Sequence, residues 1–518
     1  MSKTHIVACD LGSQSIKTAI YNAQGISLSI VNQDTIIHTL GPGALVYQGD
    51  EFYQLVTESI KLSINNSKLN PRDIAAISFT GMGGGIIGVD KNWNPTSEYT
   101  NPIDSRDQSY FSDMMKTHGD LIRLKSGTGS PMGANKILWL KNEYPDIYKK
   151  SKKFMMVTQY VQGKLVGAKA DNAFWENSSP ALSGLADTIR HNWSYEISNA
   201  LKIDIDKLPK IVNPTDIVGT LTRKAADDCG LIEGIPVIAG AYDKTCDFLG
   251  SGANIVGSIV DNAATYPGFM ACVDKFVPDI EYKTLECNPS AIEGLWLVSS
   301  YIIGGGLTHR WFIDTFCKDD KDEAKKTGIN VYEILDKKAS QIPPGSESLL
   351  FVPHLSGRAT PSDTDVRGLY IGFSWTHSKE HFYRAILESI AYENTHSLNI
   401  TKANYPHIEF NKVIVLGGGA SSNLWNQIKA DVIGIPYFRL NRRDLTTLGA
   451  AILGGKAVGI FKDMQKISQE FVKTIDMVQP RFKQHKYYQN YVKVYGLIYP
   501  ELKEVYRKLT KLRDIPPP

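Results

Sequence analysis

The stretch Ile6-Val7-Ala8-Cys9-Asp10-Leu11-Gly12-Ser13-Gln14-Ser15-Ile16-Lys17-Thr18-Ala19-Ile20-Tyr21 holds two β-type runs, Ile6 to Cys9 and Thr18 to Tyr21, around a polar turn that contains glycine. Asn22 to Gly25 supplies a second turn before the strand-like Ile26 to Val31, so the chain opens as a β-meander. Downstream the period changes. Phe52 to Asn65 repeats apolar residues at helical spacing, Ala75 to Phe79 is an apolar strand run leading into the glycine cluster Gly81 to Gly88, and Asn135 to Tyr148 sets Ile137, Leu138, Leu140 and Tyr144 on one helical face. Strands alternating with helices predict an α/β layered architecture.

Composition narrows the class. The 518 residues suggest about three domains, or two large ones, and 42% hydrophobic with 21% charged residues is ordinary globular usage. Fifty-seven basic against 54 acidic residues leave +3, too little charge to argue for a nucleic-acid or polybasic membrane surface. Met1 to Ile6 has no apolar secretory core, and no run of about 18 apolar residues occurs. Cys9, Cys229, Cys246, Cys272, Cys287 and Cys317 are scattered without metal-ligand spacing and read as reduced thiols. The expectation is a cytoplasmic protein with no nucleic-acid or membrane partner.

Further along, Lys169 to Leu185 is polar and reads as a loop-rich lid or substrate-facing surface. The buried-strand candidate Ile235 to Ala239 runs into Gly240-Ala241-Tyr242-Asp243, and the glycines that follow set the domain boundary near residue 252, giving domains 1–252 and 253–518. A small-residue turn recurs at Asp261 to Thr265, and another, Gly417-Gly418-Gly419-Ala420, follows the strand Val413 to Leu416. These form a weak internal echo with no countable repeat. Near the C-terminus Tyr488, Tyr491, Tyr495, Tyr499 and Tyr506 fall at helical spacing, interrupted by Pro500, and read as packing; the proline-ended tail Asp514 to Pro518 reads as frayed.

Three segments can carry chemistry. In Asp10-Leu11-Gly12-Ser13-Gln14-Ser15-Ile16-Lys17, small residues let backbone N–H groups approach phosphate oxygens, Lys17 neutralises charge and Asp10 can hold Mg²⁺ through water. On spacing alone, a polar hairpin turn explains it as well, and the Walker pattern is absent. Asp243, at the end of a buried strand, suits a base that takes a proton from an attacking hydroxyl, while an ordinary helix N-cap is the bland alternative. The Gly417 to Asn423 cluster, at a strand-to-helix junction, permits close approach of a flat ligand or a phosphate, but lacks the order of a dinucleotide fingerprint.

In this order and at these separations the three segments resemble the FGGY carbohydrate kinases, sugar and polyol kinases of the actin-like ATPase superfamily. The likeness spans nearly the whole chain and includes Lys136-Ile137-Leu138-Trp139-Leu140-Lys141, Gly304-Gly305-Gly306, Leu350-Phe351-Val352-Pro353-His354-Leu355-Ser356-Gly357, Arg384-Ala385-Ile386-Leu387-Glu388 and Leu448-Gly449-Ala450-Ala451. The resemblance implies an α/β fold of two actin-like (ribonuclease H-like) ATPase domains with an interdomain catalytic cleft. It implies ATP and Mg²⁺ as cofactors, Asp10 at the metal, Gly12, Ser13 and Lys17 around the phosphoryl groups, and Asp243 as general base. Gly418, Gly419, Ala420 and Asn423 would flank the adenosine.

This sequence also departs from the family. Met82-Gly83-Gly84-Gly85 stands where pentulokinases carry Gln-Met-His-Gly, which looks closer to the loops of polyol and L-xylulose-type kinases; Met82 and Gly83 are the substrate-loop candidates. A Gly-Thr-Ser phosphate turn becomes Ala263-Ala264-Thr265, leaving Thr265 as the remaining hydroxyl. Asp104 and Arg106 match an Asp-x-Arg element near the family's sugar site, and Trp175 with Glu176 and Asn177 are further pocket candidates. The expected activity is transfer of the γ-phosphoryl group of ATP to a hydroxyl of a ketopentose or pentitol-like polyol. A non-catalytic sugar or nucleotide sensor is the alternative, and a homodimer is left open.

Overall fold

The computed structural model describes residues 3–264 and 267–513. Thr265 and the tail from Asp514 lie outside the described residues. The first sheet contains β1 (His5–Leu11), β2 (Ser15–Tyr21), β3 (Ser27–Asp34), β4 (Ile74–Gly81), β5 (Ile217–Thr220) and β6 (Pro236–Tyr242), in the order β5-β6-β4-β1-β2-β3. The second contains β7 (Ser258–Asn262), β8 (Gly268–Val273), β9 (Glu286–Pro289), β10 (Trp296–Tyr301), β11 (Lys412–Leu416), β12 (Tyr437–Leu440) and β13 (Thr474–Val478), in the order β9-β10-β8-β7-β11-β12-β13. Each sheet starts as an antiparallel meander, adds two parallel strands beside the first strand of the meander, and ends in an antiparallel edge. Of the three turns in the sequence echo, the first ends β6 of one sheet, and the other two stand at the ends of β7 and β11, paired neighbours in the other.

Six helices frame the site: α1 (Gly49–Ser67), α2 (Asp243–Gly250), α3 (Lys379–Asn404), α4 (Asn423–Ile433), α5 (Leu445–Ala457) and α6 (Phe482–Arg513). The period of two in β1 sends Val7, Cys9 and Leu11 into one core with Phe52, Val56, Ile60 and Ile64 of α1. The same alternation sends Ile6 and Ala8 to the opposite face, where they meet Leu448, Ala451 and Ile452 of α5. A helix from the second half of the chain thus covers a face of the first sheet. Each fully buried Leu or Ile there contributes about 1.5–3 kcal/mol. Strand residues Ile259, Val413 and Val415 build the other main core with α3, α4 and α6.

Three expectations are corrected. The helix read over Asn135 to Tyr148 is two helices, Ala134–Glu143 and Pro145–Lys150, because Pro145 excludes Tyr144 before it from the helical region. Lys169 to Leu185 is no lid: most of it is buried, and its serines act as internal partners of the buried Glu176. Finally, α6 runs unbroken through Pro500. Packing on both sides of the proline outweighs its lost hydrogen bond. Tyr488, Tyr495 and Tyr499 donate to Glu388, Glu393 and Asp363 at 2.8, 2.9 and 2.7 Å.

Candidate active site

A β-bulge aims Asp243. Three steps along β6, from Ile238 to Ala241, match two steps along β4, from Ser78 to Thr80. Gly240 adopts φ 73° at the bulge, and a Cβ there would lie 1.8 Å from the Phe79 carbonyl oxygen, so no other residue fits. The freed backbone groups are satisfied: Gln162 Nε2 donates to the carbonyls of Ile238 and Ala239 at 2.8 and 2.9 Å, while the amides of Ala239 and Gly240 donate to Asp216 and Pro214. The chain then leaves the sheet with Asp243 as the first residue of α2.

Asp10 stands near the end of β1, paired in register with Lys17 on β2. The turn between them closes with the Gly12 amide donating to Ser15 O at 3.1 Å. Outer residues hold it, Thr35 Oγ1 and Tyr47 OH each donating to Ser13 O at 2.8 Å. From the second half, Gly417 turns the chain at φ 80° and the Gly419 amide donates to Ala263 O at 3.0 Å. The true N-cap of α4 is Ser422, whose hydroxyl accepts from the Trp425 amide at 3.0 Å.

These turns open on one cleft of about 650 Å³. Asp10, Gly12, Ser13, Lys17, Met82 and Asp243 line it from the first half, and Asn262, Gly418, Ala420, Arg443 and Thr446 from the second. Burial pushes the Asp243 carboxyl up to about 6, opposed by Lys244 and reinforced by Asp247. Burial and the neighbouring Asp243 push Asp10 up to about 7, against the pull of Lys17. Asp243 Oδ1 is buried without a hydrogen-bond partner. Carboxylates raised in this way, in a polar cleft with two ammonium groups, suit proton transfer beside bound phosphate.

The geometry has sequence counterparts. Residues 5–250 match the model of the N-terminal domain of the FGGY family of carbohydrate kinases, and residues 277–458 match that of its C-terminal domain. The chain belongs to this family. It is an ATP-dependent sugar kinase. Over 516 residues the kinase is 26% identical to the xylulose kinase of Staphylococcus epidermidis, with 98% of each chain covered. It is 27% identical over 508 residues to the autoinducer-2 kinase of Escherichia coli, covering 94% of this chain and 93% of that one. A ligand-bound xylulose kinase structure from Lactobacillus acidophilus shares the fold, with a TM-score of 0.87 at 23% identity over 98% and 99% of the two chains.

Several expected site residues of the kinase lie away from the cleft lining. Trp175 is a core residue, 1% exposed, stacked edge-on against Trp193 with its indole N–H on Ser179 Oγ at 2.7 Å. Its apolar bulk won over the polar context in which it was read. Asp104 and Arg106 are committed to each other through a pair at 2.7 Å, and the guanidinium lies over Trp139. Gly83 packs against Tyr242 and Leu182, and Gly419 against Trp425, so both act as close-approach positions behind the lining. Asn423 is exposed at the start of α4. In the other direction, Lys244 and Asp247 enter the cleft without having been read as site residues. The signal was the four-residue spacing of Asp243 and Asp247, which puts both carboxylates on one face of α2.

Proposed function

We propose that the kinase transfers the γ-phosphoryl group of ATP to a hydroxyl of a ketopentose such as xylulose or of a related pentitol. Asp243 is the general base, Asp10 organises Mg²⁺, Gly12, Ser13 and Lys17 surround the phosphoryl groups, and Gly418 and Ala420 flank the adenosine. The chain divides functionally at residue 252, with sugar and base on the first side and nucleotide on the second. The observation that supports this reading is the shared cleft, which Asp243 lines from one half and the glycine turn at Gly417 and Gly418 from the other. The names of the relatives support the five-carbon substrate.

The residues present fit Mg²⁺. Among the described residues no three His, Cys, Asp or Glu side chains converge on a point, and Mg²⁺ on a nucleotide takes one or two carboxylates and fills its remaining positions with phosphate and water. Bound there, it would neutralise charge on the transferring phosphoryl group. The protein's own part is to hold the sugar hydroxyl against Asp243, accept its proton and keep both reactants in line.

The test is ADP release over a panel of ketopentoses, pentitols, glycerol and autoinducer-2, followed by Asp243→Asn on the best substrate. The expected result is turnover on a ketopentose or pentitol, and a fall in kcat of about 10²–10⁴-fold in the variant with ADP affinity retained. Unchanged turnover in Asp243→Asn overturns the mechanism, and stabilisation by sugar without turnover on any panel member favours a sensor.

A further inference from the structure

We propose that Lys244 is a catalytic residue that touches the transferring phosphoryl group, and that Asp247 is the residue that positions it. The inference rests on the reading of the cleft as the site of phosphoryl transfer.

Lys244 follows Asp243 on α2 and lines the cleft. Its ammonium lies 3.8 Å from Asp243 Oδ2 and 3.6 Å from Asp247 Oδ2, with 21% of the side chain exposed. Both separations exceed hydrogen-bond length. The two carboxylates therefore hold the ammonium in place and keep it charged without occupying its three donors. A lysine serving only as an internal ion pair would close to about 2.8 Å on one partner.

Asp247 cannot follow Lys244 if the latter moves, because the second half of the molecule holds it. Asn262 Nδ2, at the end of β7, donates to Oδ2 at 3.1 Å, and Thr446 Oγ1, in the first turn of α5, donates to Oδ1. The side chain is 9% exposed. It belongs to a helix of the first half and is hydrogen-bonded wholly by the second, so the position of Lys244 is tied to both walls of the cleft. Asp10 and Lys17 face the same space from the hairpin of β1 and β2.

The sugar oxygen forms the new P–O bond while its proton passes to Asp243. The bond from the γ-phosphorus to the β–γ bridging oxygen breaks, and its electron pair leaves on ADP. Lys244 gives up no proton. Its N–H groups donate to the equatorial phosphoryl oxygens, which is where a preorganised cation accelerates phosphoryl transfer.

The experiment is steady-state kinetics on the best sugar of the panel. Lys244→Met is expected to lower kcat about 10²-fold while KM for the sugar and affinity for ADP stay within about twofold, and Lys244→Arg to recover part of the loss. Asp247→Asn lowers kcat less, and the double variant Lys244→Met with Asp247→Asn is no slower than Lys244→Met alone, since both act through one ammonium. A second route avoids any question of folding. Lys244→Cys is assayed before and after alkylation with 2-bromoethylamine, which rebuilds an ammonium at nearly the same reach; the six native cysteines are all buried, and the wild type treated alike is the control. Recovery of at least about tenfold in kcat supports the proposal. Wild-type kcat in Lys244→Met, additive losses in the double variant, or no recovery on alkylation of a folded Lys244→Cys protein overturns it.

Discussion

Gly449→Ala would disturb the crossing on which the two halves of the molecule meet. A methyl group at Gly449 of α5 would lie 2.1 Å from the carbonyl oxygen of Cys246 on α2 and 2.8 Å from its Cα. The contact is reciprocal, since a Cβ on Gly250 would lie 1.9 Å from the carbonyl oxygen of Leu445. Ordinary contact begins near 3.4 Å, so the helices must part by about 1.3 Å at this point. The obstructing atoms are backbone, and no rotamer change relieves them. Overpacking of this kind costs about 1–3 kcal/mol, and α2 carries Asp243 at its start. A displacement on the order of 1 Å at a reacting group costs about 10²-fold in rate. Urea unfolding read by tryptophan fluorescence should show a lower midpoint with unchanged slope, and kcat should fall with KM for ATP nearly preserved. A variant with wild-type midpoint and wild-type kcat would refute the claim that this backbone contact sets the position of Asp243.

Two further outcomes follow from the same structure. The acid limb of the kcat/KM profile should have its midpoint near pH 6, the value to which burial lifts Asp243, rather than near 4 as for an exposed carboxyl; the base works deprotonated, so the rate is lost as pH falls through that value, and a limb near pH 4 contradicts the assignment. Gly496→Ala should stabilise the protein by about 0.5–1 kcal/mol, because Gly496 lies within α6 and a Cβ there meets nothing within 4 Å; equal or lower stability in urea would show that the helix next to Pro500 needs the freedom of glycine.

What could be read from the chain divides by the range of the forces involved. The meander, the strand leading to Asp243 and the strand before Gly417 were legible because alternation and turn chemistry are local; β1 and β2 bracket the runs read there, and β3 begins one residue after Ile26. Trp175 and the Lys169 to Leu185 segment were misplaced because their polar residues bond to one another inside the protein. Ser178 Oγ donates to Glu176 and in turn accepts from the Tyr242 amide at 2.9 Å, next to Asp243. Such a segment has the composition of a loop and the burial of a core. Asp104 and Arg106 were legible as a motif but not as a closed pair, since the fold of their own loop turns the guanidinium back onto the carboxylate two residues before it.

The sheet topology is duplicated although the sequence shows no countable repeat. Asp10 and Asp261 each stand one pair in from the end of a hairpin, matched in register with Lys17 and Phe269. Asp10 opens on the cleft. Asp261 is sealed: Lys429, fully buried over the Trp425 ring, approaches it at 2.9 Å and Tyr437 OH donates at 3.0 Å. An unpaired carboxylate at that depth would be costly, and the lysine and tyrosine that offset the cost come from α4 and β12, far along the chain. The two halves therefore keep the same backbone path around their matching aspartates while the side chains differ in setting, Asp10 lining the cleft and Asp261 closed off by Lys429 and Tyr437. Strand pairing uses backbone groups that every residue but proline carries in full, and that is why topology repeats here where sequence hardly does.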